Sequence, residues 1–149
     1  MAVVALGIAS AAGAPMQALP ALTLVAHRGV EGDRYHAHRG TWTGWPDAQV
    51  TLFDAEAADE IGVPVLELRR NIITRGVDLD ALIGKRFALG DATLEGVRVC
   101  TACRYLERQL DRPDIVGALE GRSGLRARIV AGGRVRVGDT VAVIGPARG

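Results

Sequence analysis

From Arg86 to Val99, and again from Leu125 onward, glycine-centred turn signals cut the chain into short apolar runs that suit strands. Gly90-Asp91 separates Phe87–Leu89 from Ala92–Val99, and Gly132-Gly133 and Gly138-Asp139 separate Leu125–Val130, Val135–Val137 and Thr140–Ile144. Each run is rich in β-branched and leucine residues, as strands are. Many short strands with closely spaced turns and few helices favour a strongly curved mixed β-barrel over a stack of βαβ units. The predicted class is mainly β with short helices (α+β), in one domain covering residues 1–149. A chain of 149 residues is long enough to bury roughly 70% of the surface its unfolded form exposes, and no repeat or linker divides it.

The first half fits the same scheme. Val3–Ile8 and Leu22–Ala26 read as strands, separated by the small residues from Ser10 to Pro15 and by Pro20. Gln49–Phe53 is a short strand, after which Asp54 suits an N-cap with Glu56 in the first helical turn. Phe53, Ala57 and Ile61 then share one buried face, and Gly62 and Pro64 stop the helix. Asn71–Thr74 suits a strand, broken by Gly76, with Asp78 capping a short turn through Leu82. Arg104–Asp111 and Ile115–Leu119 read as the remaining helices.

Two stretches are organised for chemistry rather than packing. The first runs from His27 to Trp45 and holds four glycines, three arginines, three histidines and two tryptophans. It makes a poor strand or helix, and loops of this length in compact domains are usually functional or disordered; the aromatic content argues against disorder. The second is Cys100-Thr101-Ala102-Cys103, which holds the only two cysteines and runs from a strand into a predicted helix. A helix N-terminus and the flanking Arg98 and Arg104 favour thiolate over thiol, and the thiolate ligates soft metals and attacks disulfides. Two inert buried cysteines fit the same residues, and so does a dithiol oxidoreductase, although the surrounding strands do not form a thioredoxin-like βαβ pattern. A zinc site would have to recruit His27, His36 and His38 from far upstream, without the usual ligand spacing.

Arg69, Arg70 and Arg75 flank the Asn71–Thr74 strand, and Arg28, Arg34 and Arg39 stud the glycine loop. Facing the cysteines, they form an anion site suited to phosphate; facing solvent, they are ordinary strand-end arginines. Asp33 and Arg34 suit an ion pair that pins the loop. Lys85, the sole lysine, lies beside Gly84 and gives little support for a Schiff base, so pyridoxal phosphate ranks low as a cofactor. Phosphate-loop, dinucleotide-binding, zinc-protease and serine-hydrolase motifs do not occur. The net charge of +1 supplies no global field for nucleic acid or an anionic membrane, and no apolar run reaches the ~20 residues of a membrane span. The opening segment lacks the positive n-region of a signal peptide. A cytoplasmic protein with free thiols is expected.

Several of these stretches, taken in order, resemble the MOSC family, named for the C-terminal domain of molybdenum-cofactor sulfurase. They are Gly29-Val30-Glu31-Gly32-Asp33-Arg34-Tyr35, Val50-Thr51-Leu52 with Glu56, Arg70-Asn71-Ile72-Ile73-Thr74-Arg75-Gly76-Val77-Asp78-Leu79, Leu82-Ile83-Gly84-Lys85-Arg86-Phe87, Gly90-Asp91, Glu95-Gly96 and Cys100-Thr101-Ala102-Cys103. The resemblance implies a barrel-like fold that binds the molybdenum cofactor (molybdopterin). It makes Cys103 the metal ligand and catalytic thiol, with Cys100 as a neighbour or sulfur-transfer partner. Arg28, Arg34, Arg70 and Arg75 become candidate contacts to the cofactor's anionic groups, with Asn71 and Thr74 adding neutral hydrogen bonds. Some relatives reduce N-hydroxylated compounds; others are described as sulfur carriers, a role in which Cys103 would hold a persulfide. Either activity implies a small-molecule substrate and a partner protein that donates electrons or sulfur.

Overall fold

A computed structural model describes residues 2–10, 14–33, 49–100, 111, 114, 117 and 124–146. The short apolar runs become strands: β1 (Ala2–Ile8), β2 (Gln17–Ala18), β3 (Ala21–Val25), β4 (Gly29–Val30), β5 (Val50–Asp54), β6 (Ile72–Arg75), β7 (Lys85–Leu89), β8 (Ala92–Val99), β9 (Leu125–Ala131), β10 (Gly133–Arg136) and β11 (Val141–Pro146). One helix, α1 (Ala55–Ile61), and two single 3₁₀ turns, Val65–Leu68 and Asp80–Leu82, complete the described elements. The predicted helices at Arg104–Asp111 and Ile115–Leu119 fall almost wholly outside the described residues.

Eight strands form one mixed sheet in the order β11-β7-β8-β9-β5-β6-β1-β2, and β10-β3-β4 form a second. The large sheet curls into a half-barrel. Val3 donates to the Asp139 carbonyl at 2.8 Å and Gly138 donates back to Val3 at 2.8 Å, so β1 meets the turn before β11. This is the strongly curved, single-domain, mainly β fold expected from the turn spacing. Its interior holds the main core: Leu6, Leu52, Ile72, Phe87, Leu94, Leu125 and Ile129 from the large sheet against Leu22, Leu24, Val30 and Val135 from the small one.

One βαβ unit interrupts the antiparallel pattern. β5 and β6 pair in parallel, with Leu52 opposite Ile72 and Phe53 opposite Ile73, and α1 makes the crossover. Asp54 caps that helix through its carboxylate, which accepts from the Glu56 N–H at 3.0 Å. Gly62 ends it in the left-handed conformation at φ 73°. The buried face places Ala57 and Ala58 on Phe53, Leu68 and Ile73, a second small core outside the barrel. α1 thus covers the outer face of β5 and β6, while the outer face of β8 and β9 is polar.

Candidate functional site

In β9, Leu125, Ala127 and Ile129 enter the barrel core, so the pleat turns Arg126 and Arg128 to the outer face. In β8 the same alternation puts Ala92 and Leu94 inside and Glu95 outside, opposite Arg128. Strict alternation would next send Val97 outward and Arg98 inward. It does not, because the register shifts between Gly96, opposite Ala127, and Arg98, opposite Arg126. Val97 is the extra residue of a β-bulge. The bulge reverses the parity of the strand beyond it, so Arg98, opposite Arg126, joins Glu95 on the outer face.

Two rows of side chains cross the sheet there. In one, Glu95 is almost wholly buried between two arginines: Arg86 Nη2 approaches Oε1 at 2.5 Å, and Arg128 Nη2 contacts Oε2. The other row runs Asn71, Thr51, Arg126, Arg98. Thr51 and Arg98 both lie opposite Arg126 in the ladder, and Asn71 Oδ1 accepts from the Thr51 N–H at 3.2 Å and from Thr51 Oγ1 at 3.3 Å. Beyond this row the Cys100 N–H donates to the Gly124 carbonyl at 2.9 Å. Cys100 is buried and free of a disulfide.

Arg70 joins the end of β8 to the start of β6. Its side chain is buried, with Nη1 donating to the Leu68 carbonyl at 3.0 Å and Nη2 to the Cys100 carbonyl at 3.5 Å. The preceding Arg69 holds the left-handed conformation at φ 62°, closing the 3₁₀ turn, and its Nη1 reaches the Ala14 carbonyl at 2.6 Å. Such a backbone is uncommon for a residue with a side chain, and here it turns two consecutive arginines inward.

The other predicted site residues are spread more widely. Asn71 is 2 % exposed, and its Nδ2 donates to the Gly7 carbonyl at 3.2 Å, tying β1 to the β5–β6 pair. Thr74 is fully buried with Oγ1 at 3.5 Å from the Phe53 carbonyl. Arg75 is half exposed and pairs with Asp59 at 3.1 Å and Glu56 at 3.9 Å. Arg28 lies exposed on the turn joining β3 and β4, in the smaller sheet. Asp33 is fully buried and accepts from the Ala9 N–H at 2.9 Å, so it pins the glycine loop to the end of β1. Cys103 and Arg34, with His36, His38 and both tryptophans, lie outside the described residues. Among the described residues no cluster of histidine, cysteine and carboxylate side chains could hold a metal on its own.

Sequence reasoning passed over Arg126 and Glu95 as site residues. Leu125-Arg126-Ala127-Arg128-Ile129 alternates in the manner of a strand with a solvated outer face, yet Arg126 is only 6 % exposed. Only the strand pairing, which sets Arg126 opposite Arg98 and Thr51, distinguishes it from a surface arginine.

Comparison with solved structures agrees with this architecture. The YUAD protein from Bacillus subtilis superposes with a TM-score of 0.78 at 20% identity, over 99% of this chain and 98% of that one. YiiM from Geobacillus stearothermophilus gives 0.73 at 15% identity, over 96% and 74%. YiiM from Escherichia coli gives 0.69 at 20% identity, over 100% and 72%. At these identities the likeness is one of fold. No curated protein matches the sequence significantly. No described helix is long and apolar enough to cross a membrane. The MOSC domain model matches residues 39–142, most of the chain and all of the strands from β5 to β10, and the chain therefore belongs to the MOSC family.

Proposed function

We propose that this protein binds the molybdenum cofactor, with Cys103 as the metal ligand and Arg70 as a fixed anion contact. One observation carries the reading: a buried guanidinium, Arg70, bonds to the backbone of Cys100, three residues before Cys103. A permanent cation at that strand end favours a thiolate nearby and offers charge-assisted donors to a phosphate. A soft thiolate and hard guanidinium donors make a set that fits a metal carried on an anionic pterin. The roles of Arg28, Arg34 and Arg75, and of the Asn71 and Thr74 side chains, remain part of the proposal as outlying contacts.

When bound, the cofactor supplies two-electron redox chemistry. An N-hydroxylated substrate would take up two electrons and two protons, break its N–O bond and leave as the amine and water, with the electrons supplied by a partner protein. The chain's own residues bind and orient: Arg70 holds the end of β8 in place and neutralises an anion, and the polar outer face admits a small charged substrate. The proposed setting is the cytoplasm.

Molybdenum and extracted molybdopterin are measured on protein purified from a host that makes the cofactor. Wild-type protein should carry both, Cys103→Ser should lose the metal, and Arg70→Gln should lose most of it. Absence of molybdenum in the wild type, or equal metal in Cys103→Ser, would sink the proposal. In that case a sulfur adduct on Cys103 after incubation with a cysteine desulfurase, seen by intact mass and removed by reductant, would favour the sulfur carrier.

A further inference from the structure

Among the described residues, three that carry a side chain have a positive φ: His27 at 60°, Arg69 at 62° and Asp111 at 51°. His27 and Asp111 are exposed, and histidine and aspartate are enriched in that region of backbone space. Arg69 is the exception, a long side chain at a buried position where glycine or asparagine meets less steric cost. A strained residue persists where its surroundings hold it, and such residues gather at functional sites. The Arg69 N–H closes the 3₁₀ turn on the Leu66 carbonyl at 3.1 Å, and its Nη1 grips the Ala14 carbonyl, 55 residues away in sequence, at 2.6 Å. Two residues beyond Ala14, Met16 packs with Leu66 over β1 at Gly7. A Cβ on Gly7 would stand 2.7 Å from Leu66 Cδ2 and 3.3 Å from Met16 Cε. The connection between β1 and β2 is thus seated on the 3₁₀ turn. From the end of the same turn, Arg70 reaches the Leu68 and Cys100 carbonyls.

We propose that Arg69 is a positioning residue for Arg70: its guanidinium, fixed on the Ala14 carbonyl, holds the left-handed turn that aims Arg70 at the end of β8. The φ and ψ of residue 69 set the direction in which the chain leaves the 3₁₀ turn, so a return of Arg69 to an ordinary conformation would redirect the next side chain. Asn71 is fixed separately by its bonds to Thr51 and Gly7, which leaves Arg69 as the adjustable joint between turn and strand. A charged donor bonds a carbonyl more strongly than a neutral one, and Arg69 is only 8 % exposed, where water competes little. The connection after β1 and the guanidinium that meets Cys100 are therefore coupled, and a displacement of Ala14 is passed on to Arg70. The inference rests on the cofactor reading only for the anion that Arg70 binds.

The experiment uses the full chain, labelled with ¹⁵N and produced without molybdopterin, and follows the Arg70 Nε–Hε signal, assigned by its loss in Arg70→Gln. Arg69→Gly takes up the left-handed turn without strain but has no guanidinium to hold Ala14. It should fold, shift the Arg70 signal and speed its exchange with solvent by about tenfold, as befits the loss of one charge-assisted hydrogen bond. Arg69→Lys keeps a charged donor on a long stem and should recover most of the protection. Arg134→Gln, at an exposed position on β10, should leave the signal in place. A merely structural tie would lower the melting temperature without moving Arg70. An Arg70 signal that stays put in Arg69→Gly, or moves equally in Arg134→Gln, overturns the proposal, as does an Arg69→Lys variant no better than Arg69→Gly. In a host that makes the cofactor, Arg69→Gly should carry several-fold less molybdopterin than wild type, and Arg69→Lys should regain most of it. Equal loading of wild type and Arg69→Gly would also overturn the positioning role. Wild-type protein without molybdopterin refutes the cofactor reading alone, because the Arg70 signal reports positioning in the unloaded chain.

Discussion

Replacing Asn71 with alanine should unfold this protein at a measurably lower temperature, whatever it does to ligand binding. The side chain lies between three strands. Its Oδ1 accepts from the Thr51 N–H and hydroxyl, and its Nδ2 donates to the Gly7 carbonyl. The Gly7 N–H bonds back to the Asn71 carbonyl at 2.9 Å, so the two residues are doubly joined. Truncation leaves the Thr51 N–H and the Gly7 carbonyl short of a partner where water hardly reaches, since Asn71 is 2 % exposed. Each buried group so orphaned costs about 1–3 kcal/mol, so the two together cost roughly 2–6 kcal/mol. For a domain of this size 1 kcal/mol moves the midpoint by about 2–4 °C, so Tm should fall by roughly 4–24 °C. Thermal melts followed by circular dichroism, with urea denaturation alongside, measure this directly. Thr51→Val is the graded control: it removes the hydroxyl but keeps the backbone bond to Oδ1, and should cost only about 1 kcal/mol. An Asn71→Ala midpoint within about 2 °C of wild type would refute the reasoning, because the clamp would then be idle.

Two further outcomes test other parts of the fold. A Cβ at Gly96 would stand 2.1 Å from the Leu82 carbonyl oxygen, a backbone atom that cannot swing aside. Gly96→Ala should therefore cost about 1–3 kcal/mol by urea denaturation, whereas Gly145→Ala, with open space around it, should stay within about 0.5 kcal/mol; equal effects would contradict the packing. The Glu56 carboxyl is held below its ordinary 4.5 by its hydrogen bond to the Asp54 side chain, against a desolvation penalty and with help from the Gly76 N–H and Arg75. A depressed folded pKa means stability that is complete above pH 4.5 and lost as the pH falls through the lower folded value. Glu56→Gln should accordingly be less stable than wild type at neutral pH and converge with it in acid. A gap that is the same at pH 7 and pH 3 would show that the carboxylate's charge is not involved.

Much of the architecture was legible because it depends on local chemistry. Asp54 and Gly62 bound a helix by capping and by the left-handed conformation, both of which act within a turn. Gly90-Asp91 and Gly138-Asp139 mark real reversals for the same reason. β2 and β4 are two residues long, too short for any period to register. The parallel pairing of β5 with β6 also escaped, since the apolar runs read alike in either direction. The site was harder to see. Its cysteines and Arg70 stood out by type and spacing, but the polar outer face is made by register, which no single strand carries. A bulge one residue long decides whether Arg98 points into the barrel or away from it, and Val97 looks like any other strand valine. Arg75 illustrates the converse: its acidic neighbours, Glu56 and Asp59, reach it only through the packing of α1 on β6.

The closure of the half-barrel has a consequence for how the protein is made. Val3 pairs with Thr74 in the sheet and exchanges main-chain bonds with Gly138 and Asp139, so the strand synthesised early has partners that emerge late. At about 5–20 residues per second the turn at Gly138 follows β1 off the ribosome by on the order of ten seconds. Pairings so distant in sequence also fold slowly, in roughly milliseconds to seconds once the chain is complete. Until then the cover over the Val3 and Leu6 side chains, complete in the finished barrel, is only partial. β1 therefore stays incompletely paired until nearly the whole chain has been made.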